Sequence, residues 1–225
     1  MSHRENITRI KAVYNALEEL GPEVVFVGGA TVSLYADRPT GETRPTDDVD
    51  ILVELLQYNG YATLEEKLRR KGFVNDAESG VICRFRLQGL IVDVMPTNDV
   101  VLGFANRWYP EGHAQAIPYQ LEEGYTIKIF SPVFFLATKL EAFNDRGAGD
   151  GRTSSDFEDI VFMLSNRTTI WEELRDAEHA AGAFVKESFG HLLHNSHLAE
   201  WISCHLEYSE QARVPRIINF MRAIS

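Results

Sequence analysis

Two aspartates, Asp48 and Asp50, stand one residue apart at the head of an apolar, β-branched run, DVDILVEL, over 48–55. No other feature of the chain constrains the fold as tightly. The run alternates as a strand does, and alternate residues of a strand share a face. The two carboxylates therefore stand side by side while Val49 turns to the core. Like charges held this close repel, and a cation between them removes that cost. Mg²⁺ suits such a place, because it takes hard oxygen ligands, few carboxylates and the phosphate oxygens of a substrate.

Two flanking segments strengthen this reading. VVFVGG, over 24–29, is an apolar run ending in Gly28 and Gly29, the pattern of a buried strand entering a turn. Glycines let the backbone approach a phosphate closely, and a helix expected to start over 30–35 would favour an anion at its N-terminus. Downstream, in IVDVMP, Val92 and Val94 face one way while Asp93 faces the other with Ile91 and Met95. If this strand neighbours that of Asp48, three carboxylates converge. Such a triad can hold two metals for in-line phosphoryl transfer, with Asp93 as the base that activates the attacking hydroxyl.

The rest of the chain reads as mixed α and β up to about residue 125 and helical beyond it. Ile7, Ile10, Tyr14, Leu17 and Leu20 predict an amphipathic helix over 5–20, stopped by Gly21-Pro22. Residues 37–47 form a polar loop, residues 61–71 a helix closed by Gly72, and 81–88 with 90–95 a hairpin turning near Gln88-Gly89. Residues 96–124 read as irregular, with room for short strands. Ser131-Pro132 starts a helix, with proline at its first position. After a glycine-rich joint over 147–153, Ser155 and Glu158 form a capping-box pattern ahead of Phe157, Ile160, Val161 and Leu164 on one face.

Composition narrows the class. With 22 Lys and Arg against 33 Asp and Glu the formal charge is −11, so the chain has no global attraction for nucleic acid or an anionic membrane. An RNA or DNA substrate would need a local basic patch. Two distant cysteines, Cys83 and Cys204, exclude a disulfide scaffold and point to a reducing compartment. The opening residues lack the apolar core of a signal peptide, and no apolar run reaches the roughly 18 residues of a membrane span. The expectation is a cytoplasmic protein without membrane partners.

VGGATVSLY followed by RPTDDVDILV resembles the motif that opens the DNA polymerase β superfamily of nucleotidyltransferases. More narrowly, the chain is similar to the AbiEii-like group of abortive-infection type IV toxins. The later stretch TKLEAFNDRGAGDGRTSSDFEDI carries that match through Lys139, Arg146, and Asp156 with Asp159. The resemblance spans roughly 24–165. It implies an α+β fold: a nucleotidyltransferase core with a mixed sheet over 1–129, and a helical C-terminal domain over 130–225 that completes the nucleotide site. It implies Asp48 and Asp50 as metal ligands for Mg²⁺ or Mn²⁺, and with Asp93, read from the alternation of its own strand, they make up the expected catalytic, metal-binding triad. Nucleotide binding would fall to Gly28, Gly29, Arg44, Thr46, Lys139 and Asp156, with Lys139 on the triphosphate. The loop before Asp48 is long beside many polymerase-like members, and the third acid is not uniform in the toxin group.

The activity so implied is transfer of a nucleoside monophosphate from an NTP such as ATP to a hydroxyl, releasing pyrophosphate. In the toxin-like version the acceptor is RNA, such as a tRNA 3′ end, or a protein, and an antitoxin is the natural partner. Two alternatives stand beside it: a small-molecule, aminoglycoside-type transferase, which the acidic surface suits, and an inactive nucleotide- or partner-binding module. Other motifs carry less. His191, His194 and His197 lack an acid or cysteine partner at zinc spacing and read as a polar helix face. Arg107, Trp108 and Tyr109 either stack on a base or anchor a loop. Arg213, Arg216 and Arg222 make the C-terminal segment locally basic, to guide RNA or to decorate a helix.

Overall fold

The computed structural model describes residues 2–38, 43–55, 58–99, 102–103, 105–146 and 149–225. Parts of the predicted 37–47 loop and 147–153 joint lie outside the described residues. The chain divides into two compact units, one of Met1–Thr31 with Arg44–Ser131, the other of Val32–Thr43 with Pro132–Ser225. The fold is mixed α and β, with a seven-stranded sheet followed in the chain by a helical C-terminal region.

In the first unit, helix α1 spans Ser2–Leu17 and continues as a 3₁₀ segment over Glu18–Glu23. Strands β1 (Val25–Val27), β2 (Asp48–Val53), β3 (Val74–Asn75), β4 (Arg84–Leu87), β5 (Leu90–Pro96), β6 (Ile117–Glu122) and β7 (Tyr125–Ile129) form one sheet in the order β3-β4-β5-β2-β1-β7-β6. Helix α2 covers Tyr58–Arg70 and α3 Tyr109–Ala114. The sheet is mixed: β2 runs parallel to β5 and antiparallel to β1, while β1 runs parallel to β7. Val25, Phe26, Ile51, Leu52, Val92 and Val94 are fully buried, so the central strands carry the core, and α1 and α3 both pack on β2.

The sequence pattern needs three corrections here. The first helix stops at Leu17, because Glu18 takes φ of 51° and Pro22 has no N–H to continue an α-helical ladder. The segment after Gly28 is a 3₁₀ helix, Gly29–Tyr35. The described part of 96–124 holds the short edge strand β6, for which the pattern left room, and also the helix α3, which it did not indicate. Strand β7 then pairs with both β6 and β1.

The second unit holds α4 (Pro132–Arg146), α5 (Ser155–Asn166), α6 (Ile170–Asp176), α7 (Ala180–Leu193), α8 (Leu198–Cys204) and α9 (Arg213–Ile224). Phe143, Phe157 and Trp201 meet at its centre with ring centroids 5.1–6.0 Å apart. The cap of α5 is Ser154 rather than Ser155: its hydroxyl accepts the Phe157 N–H at 3.3 Å. Ser155 alone has a glutamate three residues on, but the extended backbone at Ser154 makes it the cap. Among the described residues, no helix is long and apolar enough to cross a membrane.

The β4–β5 hairpin turns through Gln88 and Gly89, both left-handed at φ of 50° and 90°. A glutamine is poorly suited to that region, where Asn-Gly is the favoured pair. Gln88→Asn should raise stability by about 0.5 kcal/mol, read from the urea unfolding midpoint.

Candidate active site

The register of the central strands builds the acidic cluster. Parallel pairing of β2 with β5 sets Asp50 opposite Asp93 and Asp48 opposite Ile91. Opposed residues of paired strands project from the same face. Asp48, Asp50 and Asp93 each offer a carboxylate oxygen, and these oxygens lie within 4.8 Å of one another. Val49 between them is buried in the core, and Asp93 is itself only 8% exposed. A divalent cation fits this donor set: three hard oxygens with a mutual spread close to twice the Mg–O distance of about 2.1 Å.

Gly28 explains how Asp50 is accommodated. Val27, the last residue of β1, pairs with Asp50, and the chain leaves the sheet at Gly28 with φ of 71°. A Cβ on Gly28 would collide with Asp50 Oδ2, and one on Gly29 with Arg44 Nη2 and the Thr46 methyl. The two glycines are therefore space for a carboxylate and a guanidinium. Thr46 is buried, and its hydroxyl donates to Asn6 Oδ1 at 3.1 Å.

The residue that sequence reading missed is Arg84. Its Nε and Nη2 each donate to an oxygen of Asp93 at 2.8 Å, and Nη2 stands 3.5 Å from Asp48 Oδ2. This fork-to-fork pair fixes the Asp93 carboxylate in plane and offsets part of the crowded negative charge. The Asp93 hydrogen bonds in turn hold the Arg84 guanidinium well above its ordinary pKa. The hairpin arithmetic could have found it: a turn at Gln88-Gly89 sets Leu87 opposite Leu90 and, three pairs on, Arg84 opposite Asp93. Burial, reinforced by Asp93, pushes the neighbouring Cys83 thiol up to about 11. Cys83 therefore stays protonated at neutral pH and is no nucleophile.

Lys139 and Asp156 form a second cluster, inside the second unit. Lys139 Nζ lies 3.1 Å from Asp156 Oδ1 and 2.7 Å from Asp159 Oδ2, and all three residues are buried. Arg146 adds Nε and Nη2 to the two oxygens of Asp156 at 2.9 and 3.1 Å. Burial pushes the Asp156 carboxyl up, but the Arg146 hydrogen bonds and the Lys139 charge outweigh it and leave it below its ordinary range. Asp159, which the sequence gives only as part of a motif, is the closest partner of Lys139. Elsewhere, His194 faces the Gly190 carbonyl and His197 faces Glu200. Trp108 is buried beneath Arg107, at 4.8 Å, as a loop anchor.

A family model described as the nucleotidyl transferase AbiEii toxin of type IV toxin–antitoxin systems matches residues 11–212. No curated protein matches the chain.

Three outcomes test this geometry. Gly28→Ala combines a left-handed backbone with a clash against Asp50, and should cost about 2 kcal/mol or more in urea unfolding. Arg84→Gln leaves Asp93 buried without its partner and should cost about 3 kcal/mol in EDTA, with part recovered on adding Mg²⁺. Because the folded pKa of Asp156 is depressed, its stabilising contribution is complete above the unfolded carboxylate pKa and vanishes as pH falls through the folded value. Unfolding midpoints of Asp156→Asn and wild type should therefore converge on acidification.

Proposed function

The chain belongs to the nucleotidyl transferase AbiEii toxin family of type IV toxin–antitoxin systems, and on that premise we propose a metal-dependent transfer of NMP from an NTP to an RNA hydroxyl, with Asp48, Asp50 and Asp93 at the reaction centre. The convergence of those three carboxylates on one face of paired strands is the observation that carries this reading. Asp48 and Asp50 would hold Mg²⁺ or Mn²⁺, with Asp93 as the third ligand. When bound, such an ion supplies charge neutralisation at the triphosphate and at the developing alkoxide.

The remaining work falls to side chains of the chain. The acceptor oxygen forms a bond to the α-phosphorus, the α–β bridging P–O bond breaks, and pyrophosphate leaves. The proton of the acceptor hydroxyl passes to Asp93, whose carboxylate Arg84 keeps in one orientation. Each Asp93 oxygen retains a second lone pair for that proton. Gly28 lies against Asp50 and Gly29 against Arg44 and Thr46, and we assign these four residues, Gly28, Gly29, Arg44 and Thr46, to the nucleotide phosphates. Lys139 is assigned to the triphosphate, with Asp156 and Asp159 holding its ammonium in place. An antitoxin protein is the natural regulator of such an enzyme, and the cytoplasm its place of action.

The test is incubation of the purified protein with each labelled NTP, Mg²⁺ and total RNA, beside Asp48→Ala and Asp50→Ala. Label should enter RNA with wild type only, and EDTA should abolish it. Both variants should keep wild-type circular dichroism, since removing one acid relieves repulsion in the metal-free cluster. Turnover at the wild-type rate by Asp50→Ala would sink the mechanism. Label confined to protein bands would replace the RNA acceptor, and label in neither would favour a small-molecule acceptor.

A further inference from the structure

Four arginines of the second unit, Arg38, Arg167, Arg213 and Arg216, line one shallow depression together with Trp171 and Phe220. They are of two kinds. Arg167 is locked by Glu173, which accepts from its Nε and Nη2, and by the Tyr35 carbonyl on Nη1 at 3.2 Å. Arg213 is locked by Glu210 at 2.7 Å, by Ser165 Oγ at 2.7 Å and by Asn166 Oδ1 at 3.1 Å. These two are neutralised and rigid.

Arg38 and Arg216 are not. Neither has a carboxylate within ion-pair distance among the described residues. The Arg38 Nε is buried without a hydrogen-bond partner among the described residues. A buried donor left unmade costs about 1–3 kcal/mol, which an anion oxygen would recover. The adjacent Asp37 attracts Arg38 but does not reach ion-pair distance, since its carboxylate accepts from the Thr168 N–H and hydroxyl at 2.6–3.0 Å. Arg216 is exposed, with its guanidinium 5.4 Å from the Phe220 ring, and Phe220 stacks on Trp171 at 5.0 Å and 17°. That contact fixes where the Arg216 charge stands.

The arginines thus outnumber the acids facing them, Glu173, Glu210 and Asp37, in a chain whose formal charge is −11. Guanidinium groups match tetrahedral phosphate oxygens with paired N–H donors. We infer that this depression, built wholly from the second unit, is a phosphate-binding site, with Arg38 and Arg216 as its ligands and Arg167 and Arg213 as its frame. The phosphate belongs to the backbone of an RNA acceptor or to a free nucleotide. The choice of RNA rests on the transferase reading above; the site itself does not.

The experiment uses the full chain in EDTA, so that the carboxylate cluster holds no metal. Binding of a short fluorescent single-stranded RNA is followed by anisotropy through a salt titration, and binding of ATP and of inorganic phosphate by calorimetry. Arg38→Gln/Arg216→Gln should weaken RNA about tenfold and flatten the slope of log K against log salt by about 1.4, because two phosphates of a single strand would no longer be neutralised. Unchanged RNA binding with weakened ATP and phosphate binding would make the source a free nucleotide. Unchanged binding of all three would overturn the site. The exposed Arg216→Gln alone repeats the measurement if the double variant unfolds. Asp48→Ala should bind RNA as wild type does, so its behaviour in the transfer assay judges the reaction and not this site.

Discussion

Parallel pairing of two buried strands is the constraint on which the first unit turns. Once β2 lies beside β5 in this register, Asp50 must face Asp93, with Asp48 one pleat away. Three carboxylates then crowd a sheet face whose opposite side is packed with Val49, Val92 and Val94. A one-residue slip would turn every acid into the core and every valine out of it, so burial enforces the cluster. The neighbouring strands are fitted to it: β1 is followed by a glycine, Gly28, because Asp50 occupies the space a side chain would need, and β4 supplies Arg84 as a cation for Asp93.

The two ionic clusters differ in charge balance, and that difference separates their chemistry. Lys139 and Arg146 face Asp156 and Asp159, two cations against two anions, each buried acid satisfied by a donor at hydrogen-bond distance. Such a group is stable as it stands and positions an ammonium. In the strand cluster Arg84 is shared between Asp93 and Asp48, beside Asp50. Three carboxylates converging on one sheet face offer the hard oxygen donors that a divalent cation takes.

An acidic chain that acts on polyanions has to confine attraction to small areas. At −11 its overall field repels RNA and nucleotides alike. The arginine-lined depression of the second unit runs against that field, and half of its guanidiniums are spent on holding the geometry rather than on attraction. Local charge of this kind would give affinity for a phosphate at one place while the acidic remainder of the surface opposes indiscriminate binding.

By itself, the sequence determined whatever depends on local period and turn chemistry. The DVD strand, the Gly28-Gly29 exit, the Gln88-Gly89 hairpin and the proline-led helix α4 are all legible, because side-chain alternation and left-handed turns are written within a few residues. The resemblance to the AbiEii-like group was legible in the same motifs, and the family match spans them. Only the tertiary structure decided what long-range pairing controls. It placed β5 beside β2, brought Arg84 onto Asp93 and set Asp159 closest to Lys139; it drew the edge strand β6 and its neighbour β7 into the sheet. It also gathered Arg38 with arginines more than a hundred residues later in the chain. Strand neighbours and ion pairs between distant residues are fixed by which surfaces bury together, and no local pattern encodes that choice.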